Sequence, residues 1–193
     1  MNKLKIIKEI EEQIKNCKKC RLREQRDKYV IGEGSLDAKI MFVGEGPGRD
    51  ENRVGRPFVG RAGQLLDKIL NSVDISREDI YITNVVKCWP PNNRNPRQDE
   101  IKACFPYLTS QISLINPKII VTLGNFATKL LLNEQNKGIT ALRGKVFDWV
   151  GGIKIVPMFH PSYLLRNYTV EARKATWEDI KLVKKLYTDS IEK

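Results

Sequence analysis

Four short apolar runs constrain the fold of this chain more than any other feature: Lys39–Val43 (KIMFV), Ile80–Val86 (IYITNVV), Ile119–Leu123 (IIVTL) and Ile153–Met158 (IKIVPM). Each has the length of a strand, is rich in β-branched residues and is bounded by Gly, Pro or Asn. They are continuously apolar and do not alternate with polar residues, which marks strands covered on both faces, as in a parallel sheet. Helical spacing fills the intervals. Leu4, Ile6, Ile7, Ile10 and Ile14 define an amphipathic helix over residues 3–16, and further helices are expected over about 62–72, from Arg97 onward, over 125–132 and over 170–190. Gly151-Gly152 reads as the turn of a hairpin whose second arm is the last strand. The pattern is that of an α/β chain. No linker, repeat or low-complexity block divides it, so residues 1–193 are read as one domain. In open parallel sheets ligands bind beyond the carboxyl ends of the strands. Gly44-Glu45-Gly46, Asn84 and His160 all fall there.

Apolar residues make up 41% of the chain, enough for a packed core and too many for wholesale disorder. No run approaches the roughly 18 apolar residues of a membrane-spanning helix, and the charged N-terminal stretch lacks the apolar centre and cleavage site of a secretory signal. The expected compartment is the cytoplasm, with no membrane partner. Lys and Arg number 34 against 23 Asp and Glu, a net charge of +11. Such an excess draws polyanions by long-range steering, with nucleic acid the leading class; the same excess also serves solubility or a hot environment.

Cysteines occur as a C-x2-C pair, Cys17 and Cys20, and as Cys88 and Cys104. In a chain expected to be cytosolic, metal binding takes precedence over disulfides. A four-thiolate metal site, separate buried thiols and a redox C-x-x-C all remain open from spacing alone, and a metal site leaves zinc and an iron–sulfur cluster as alternatives. The segment Gly44-Glu45-Gly46-Pro47-Gly48 matches neither G-x-G-x-x-G nor G-x-x-x-x-G-K-[ST], which excludes the dinucleotide and P-loop readings. It remains a tight turn that exposes backbone N–H groups and carries one carboxylate. His160, the only histidine, stands between a strand and Pro161, in a rigid turn at the same end of the sheet. No G-x-S-x-G elbow accompanies it, so Ser-His-Asp catalysis has no support.

Taken together, GEGPGRDE (Gly44–Glu51), GRPFVGRAG (Gly55–Gly63), TNVVKC (Thr83–Cys88) and HPSYLL (His160–Leu165), interleaved with the four cysteines, resemble the uracil-DNA glycosylase superfamily, and within it the iron–sulfur branch called family 4. The resemblance runs from about Cys17 to Arg166 in the same order. It implies a three-layer αβα fold around a central four-stranded parallel sheet. It implies that Cys17, Cys20, Cys88 and Cys104 hold a structural [4Fe–4S] cluster in place of zinc. It implies that Phe58 stacks on a flipped uracil, that Asn84 reads the O4 and N3 edge, and that His160 donates to O2 as the bond breaks, with backbone groups around Gly46 and Pro47 assisting. Glu51 would fill the space at C5 that excludes thymine, because the turn position of the excluding Tyr of some relatives is Gly48 here. The best-known branch has an Asp that positions water where this chain has Gly46, which leaves Glu45 as the candidate for that task. Ser162, Leu164, Leu165 and Arg166 would meet DNA, either leucine as a wedge and Ser162 and Arg166 on phosphates.

The expected activity is that of a monofunctional glycosylase from a thermophile, acting as a monomer in base excision repair of uracil-containing DNA, single- or double-stranded. Recruitment by a sliding clamp is not legible in the residues. The alternatives are a non-catalytic, metal-stapled nucleic-acid-binding module and a different α/β hydrolase acting on nucleotides. Lys87 is the one lysine of these motifs that a Schiff-base lyase would call upon.

Overall fold

The structure, a computed structural model, describes residues 2–191; Met1, Glu192 and Lys193, which the expected 1–193 domain includes, lie outside the described residues. The sheet runs β1 (Glu33–Gly34), β3 (Tyr81–Asn84), β2 (Ile40–Gly44), β4 (Ile119–Leu123), β6 (Lys154–Met158), β5 (Phe147–Asp148). The four expected strands form its parallel centre, with Phe42 opposite Ile82 and Val121, and Val121 opposite Val156. The sheet nonetheless has six strands, not four, because two-residue strands β1 and β5 pair antiparallel on its edges. Neither has a hydrophobic signature. β1 is held by close approach: Gly34 sits at φ 120°, and a Cβ there would stand 1.8 Å from the Ile80 carbonyl oxygen.

Successive side chains on a strand point to opposite faces, and both faces here are apolar. Met41 and Val43 join Tyr81, Ile120 and Ile155 on one side, against Ile10 and Ile14 of α1 (Lys3–Lys15), Leu108 and Ile112 of α4 (Gln98–Ile115) and Leu131 of α5 (Asn125–Leu132). Ile40 and Phe42 join Ile82, Val121 and Val156 on the other, against Leu66 and Leu70 of α3 (Arg61–Asn71) and Ile180 and Val183 of α8 (Val170–Ile191). This is the three-layer αβα arrangement. Three short helices fall where the sequence reads as loop: α2 (Arg49–Val54) inside the Gly-rich stretch, α6 (Ile139–Leu142), and α7 (Pro161–Arg166) directly after His160. α7 begins on two strong local signals, a side-chain cap and Pro at its first position. Among the described residues no helix is long and apolar enough to cross a membrane.

Candidate active site

A cleft of about 690 Å³ opens at the carboxyl ends of the parallel strands, and Glu45, Gly46, Pro47, Glu51, Phe58, Asn84 and His160 all line it. Residues 115 positions apart in the extreme, from Glu45 to His160, thus meet in one hollow. Asn84 ends β3 and is 2% exposed, Gly44 ends β2, and a Cβ on Gly44 would stand 2.4 Å from Asn84 Oδ1 and 2.8 Å from Phe58 Cζ. The absence of that Cβ lets the amide and the aromatic edge share one wall. The Phe58 ring lies 5.7 Å from the His160 ring, centroid to centroid, tilted by 35°. Behind His160, a Cβ on Gly124 would stand 2.9 Å from the histidine Cβ.

His160 is the N-cap of α7. Its Nδ1 accepts the Ser162 backbone N–H at 3.1 Å and lies 2.7 Å from Ser162 Oγ. A ring nitrogen that accepts two donors carries no proton, so the proton resides on Nε2. Burial, and then the nearby Arg166 charge, push the imidazole down to about 4, so it is neutral at physiological pH. Ser162 was expected on a phosphate. Its hydroxyl proton points instead at His160 and is not free to donate elsewhere, so the serine orients the histidine. Of the two candidate wedge residues, Leu164 is 3% exposed and packs inward, too deep to enter a base stack; Leu165, the next residue round the helix, is 37% exposed. Arg166 lines the cleft, as do Arg94 and Lys129.

Phe58 owes its position to a clamp that no motif announces. Its φ is 50°, in the left-handed region that aromatic residues avoid. Glu51 Oε1 accepts the N–H groups of Val59 and Gly60, both at 2.9 Å. Arg77 donates to the Phe58 carbonyl at 3.1 Å and to the Pro57 carbonyl, and is itself held by Asp67 at 2.8 Å and Glu33 at 2.7 Å. A Cβ on Gly63 would lie 1.8 Å from the Phe58 oxygen, so α3 approaches the loop at the limit of contact. Glu51 Oε2 occupies the space beside Gly48, 2.6 Å from where a Cβ there would stand. The far wall is the Pro90–Gln98 segment, in which Asn92 and Asn93 both take positive φ, 57° and 54°. The Asn-Asn pair is the sequence signal for that turn.

Glu45 is half-buried with no hydrogen-bond partner on its carboxylate, and desolvation raises its pKa to about 7. Lys87, by contrast, is fully buried outside the cleft, and its Nζ donates to Gln111 Oε1 at 2.6 Å, Thr83 Oγ1 at 2.7 Å and the Asn84 carbonyl at 2.7 Å. No substrate carbon can reach it, which removes the Schiff-base reading.

The four cysteines converge beside this site. All are free thiols packed in one cluster around α1, α4 and the segment after β3. The Arg26 guanidinium donates to Cys88 Sγ at 3.2 Å while also bonding the Ile14 carbonyl at the end of α1, and the Lys87 N–H donates to Cys104 Sγ at 3.2 Å. Burial pushes the Cys104 thiol up to about 12 and raises Cys88 and Cys20, each further raised by its sulfur neighbours. Donors aimed at sulfur suit thiolates, and only a bound cation would hold such buried groups ionised. One tetrahedral zinc needs sulfurs about 3.8 Å apart, yet among the described residues no three Cys, His, Asp or Glu side chains are grouped to hold a metal ion. The all-thiolate donor set is of the soft kind that suits zinc or an iron–sulfur core.

Residues 31–181 match the family model of the uracil DNA glycosylase superfamily. The type-4 uracil-DNA glycosylase of Thermotoga maritima is 51% identical over 175 residues, covering 91% of each chain. That of Saccharolobus solfataricus is 47% identical over 182 residues, covering 91% of this chain and 83% of the relative. The type-5 uracil-DNA glycosylase of Pyrobaculum aerophilum is more distant, at 33% over 150 residues, 69% of this chain and 66% of its own. With a cleft built from all four motifs and matches of this extent, the chain belongs to the uracil-DNA glycosylase superfamily, in its type-4 branch.

Proposed function

We propose that this chain removes uracil from DNA by hydrolysing its N-glycosidic bond, leaving an abasic site, and that it does so as one domain and a monomer on single- or double-stranded substrate. The observation that carries the reading is the meeting of Phe58, Asn84 and the Nε2–H of a neutral His160 in one cleft. A base within a duplex must be flipped into such a pocket before its sugar bond is reachable. Phe58 stacks on the ring. The Asn84 amide accepts from N3–H and donates to O4, a pairing that cytosine reverses at both positions. The Glu51 carboxylate, in the space beside Gly48, meets the C5 methyl of thymine.

As the C1′–N1 bond breaks, negative charge moves to uracil O2 and positive charge to the sugar. The His160 Nε2–H donates to O2, with backbone N–H groups around Gly46 and Pro47 beside it; one preorganised donor of this kind is worth roughly 2.7–4 kcal/mol of barrier. Glu45, ionised above pH of about 7, takes a proton from the water that adds to C1′. Its charge also opposes the developing cation. Leu165 fills the gap left in the base stack, and Arg166 holds a phosphate. Cys17, Cys20, Cys88 and Cys104 hold a [4Fe–4S] cluster, which when bound supplies a covalent staple between α1 and the walls of the site. The test is incubation with uracil-containing strands, single and duplex, followed by alkali. Cleavage at uracil alone is expected; binding without cleavage would favour the metal-stapled binding module.

A further inference from the structure

On the far side of α7 from the cleft lies a second groove of about 240 Å³, floored by Leu164 and Ile180 and flanked by Tyr168 and Trp177. Nothing in the uracil reaction uses it. Among the described residues nine large hydrophobic side chains are exposed, and five fall within residues 163–177: Tyr163 at 37%, Leu165 at 37%, Tyr168 at 66%, Val170 at 64% and Trp177 at 41%. Of these, Tyr163 faces the cleft, while Tyr168 and Trp177 border the groove itself, and two exposed rings beside one apolar groove call for an explanation. The two large rings are each paired with a cation. Arg173 lies 4.8 Å over Tyr168, and Lys181 lies 5.6 Å over Trp177. Lys68 stands on the opposite lip.

Exposed rings interleaved with cations are how proteins hold single-stranded nucleic acid without reading its sequence, the bases stacking and the cations following the phosphates. We propose that this groove is a stacking platform for unpaired DNA flanking the uracil, continuous with α7 and occupied by the strand as it leaves the cleft. This rests on the DNA-repair reading above, which supplies the strand. The charge favours DNA over an apolar peptide, since both groove rings are bordered by a cation and Arg173 and Lys68 line the groove, although Lys181 also pairs with Glu178 at 2.9 Å. The span is short. α7 is about 10–12 Å across with its side chains, and phosphates follow one another every 3.4 Å or more along a strand, so about three nucleotides bridge cleft and groove.

Trp177 is the reporter. Uracil-free oligo-dT of about 12 nucleotides should quench tryptophan emission, and in a Trp89→Phe background, which removes the indole bonded to Asn93 of the cleft wall, Trp177→Phe should abolish the quench while keeping the affinity. Tyr168→Ala and Trp177→Ala should each weaken oligo-dT binding about fivefold or more by anisotropy at fixed salt, with the saturating single-turnover rate of uracil excision unchanged. Val150→Ala, equally exposed elsewhere, should change nothing. Substrates with fewer than about four nucleotides on either side of uracil should not feel the two ring substitutions. Unchanged oligo-dT affinity in both alanine variants, or a quench that survives Trp177→Phe in the Trp89→Phe background, would overturn the proposal and leave the groove to a protein or peptide. A wild-type protein that binds and quenches yet excises no uracil would refute the catalytic reading and leave this one standing.

Discussion

Replacing Glu45 with Gln isolates one physical statement, that a half-buried carboxylate without a partner works as the base at this site. Desolvation alone raises its pKa to about 7. Only the ionised form accepts a proton, so the single-turnover excision rate should rise tenfold per pH unit below 7 and level off above it. That makes it about tenfold down at pH 6 and about a hundredfold down at pH 5. His160 stays neutral across this range because its own pKa lies at about 4. The rival source of such a limb is Lys87, also drawn down to about 7 by burial; Glu45→Gln separates the two. The variant should lose about 10²- to 10⁴-fold at pH 8 and show a flat profile from pH 5 to 8. A limb that persists in the variant assigns the titration elsewhere, and a flat wild-type profile removes the base altogether.

The same substitution makes a second, opposite forecast for stability. The folded carboxyl holds its proton up to about pH 7 while the unfolded one releases it near 4.5. Between those values the folded state binds more protons, so stability falls as pH rises through 7. At about 1.4 kcal/mol per pH unit the ceiling is about 3 kcal/mol, and the open cleft reduces it to about 1–2 kcal/mol by solvent screening. Glu45→Gln should therefore be more stable than the wild type by that amount at pH 8, and no more stable at pH 4.5. A variant that loses activity without gaining stability in denaturant melts at pH 8 would refute desolvation as the cause of both effects.

Asn84→Asp should weaken the preference for uracil over cytosine, because a carboxylate no longer donates to O4; competition assays with both bases that return the wild-type ratio would end the edge-reading role. Gly63→Ala forces a methyl into the Phe58 carbonyl oxygen and should cost about 1–3 kcal/mol by overpacking together with excision rate, both measurable on one preparation; an unchanged melting temperature would show that the loop gives way freely. Stripping iron by reduction and chelation should remove a broad visible absorption band and lower the melting temperature by about 5–20 °C, if the staple is worth what a covalent cross-link is, about 2–5 kcal/mol. Retention of the melting temperature without the band would deny the cysteines a structural metal.

The sheet was legible because its four central strands are apolar on both faces, a pattern that a buried parallel strand requires and little else produces. The β5 edge was legible as the first arm of the hairpin that turns at Gly151-Gly152, whereas β1 was not, since it is built on glycines that approach a neighbouring backbone and offers no side-chain pattern to read. The same divide runs through the site. Asn84 and His160 follow directly from strands, so their place in the cleft follows from the sheet. The Arg77 clamp on Phe58 depends on contacts 19 and 20 residues apart in sequence, which no local spacing encodes. Leu164 and Leu165 were indistinguishable as neighbours in a motif. Only the turn of α7 sends one into the core and the other to solvent. Ser162 was misread for a similar reason, because a helix start was not expected at Pro161 and a capping histidine needs a donor two residues on.

The segment Thr83–Cys88 joins the two halves of the molecule's chemistry. Asn84 ends a strand, whose pairing continues past it as Val85 N–H donates to the Gly44 carbonyl at 2.9 Å and Val86 N–H to the Glu45 carbonyl at 3.1 Å. At the next residue the Lys87 N–H donates to the Cys104 sulfur, while its side chain turns back to the Asn84 carbonyl, Thr83 and Gln111. Three acceptors around one nitrogen use every proton of the ammonium form. The side chain is therefore a buried strut, not a catalytic amine. Along this strut three residues of fully buried chain, Val85, Val86 and Lys87, separate Cys88 from Asn84. A parallel sheet places its binding residues on loops beyond the strand ends, where backbone is least restrained. A metal centre held by the four thiols would tie α1, α4 and the loop after β3 together and restrain that end of the sheet. That restraint is what the proposed metal site, beside the cleft and not at the opposite end of the fold, would supply.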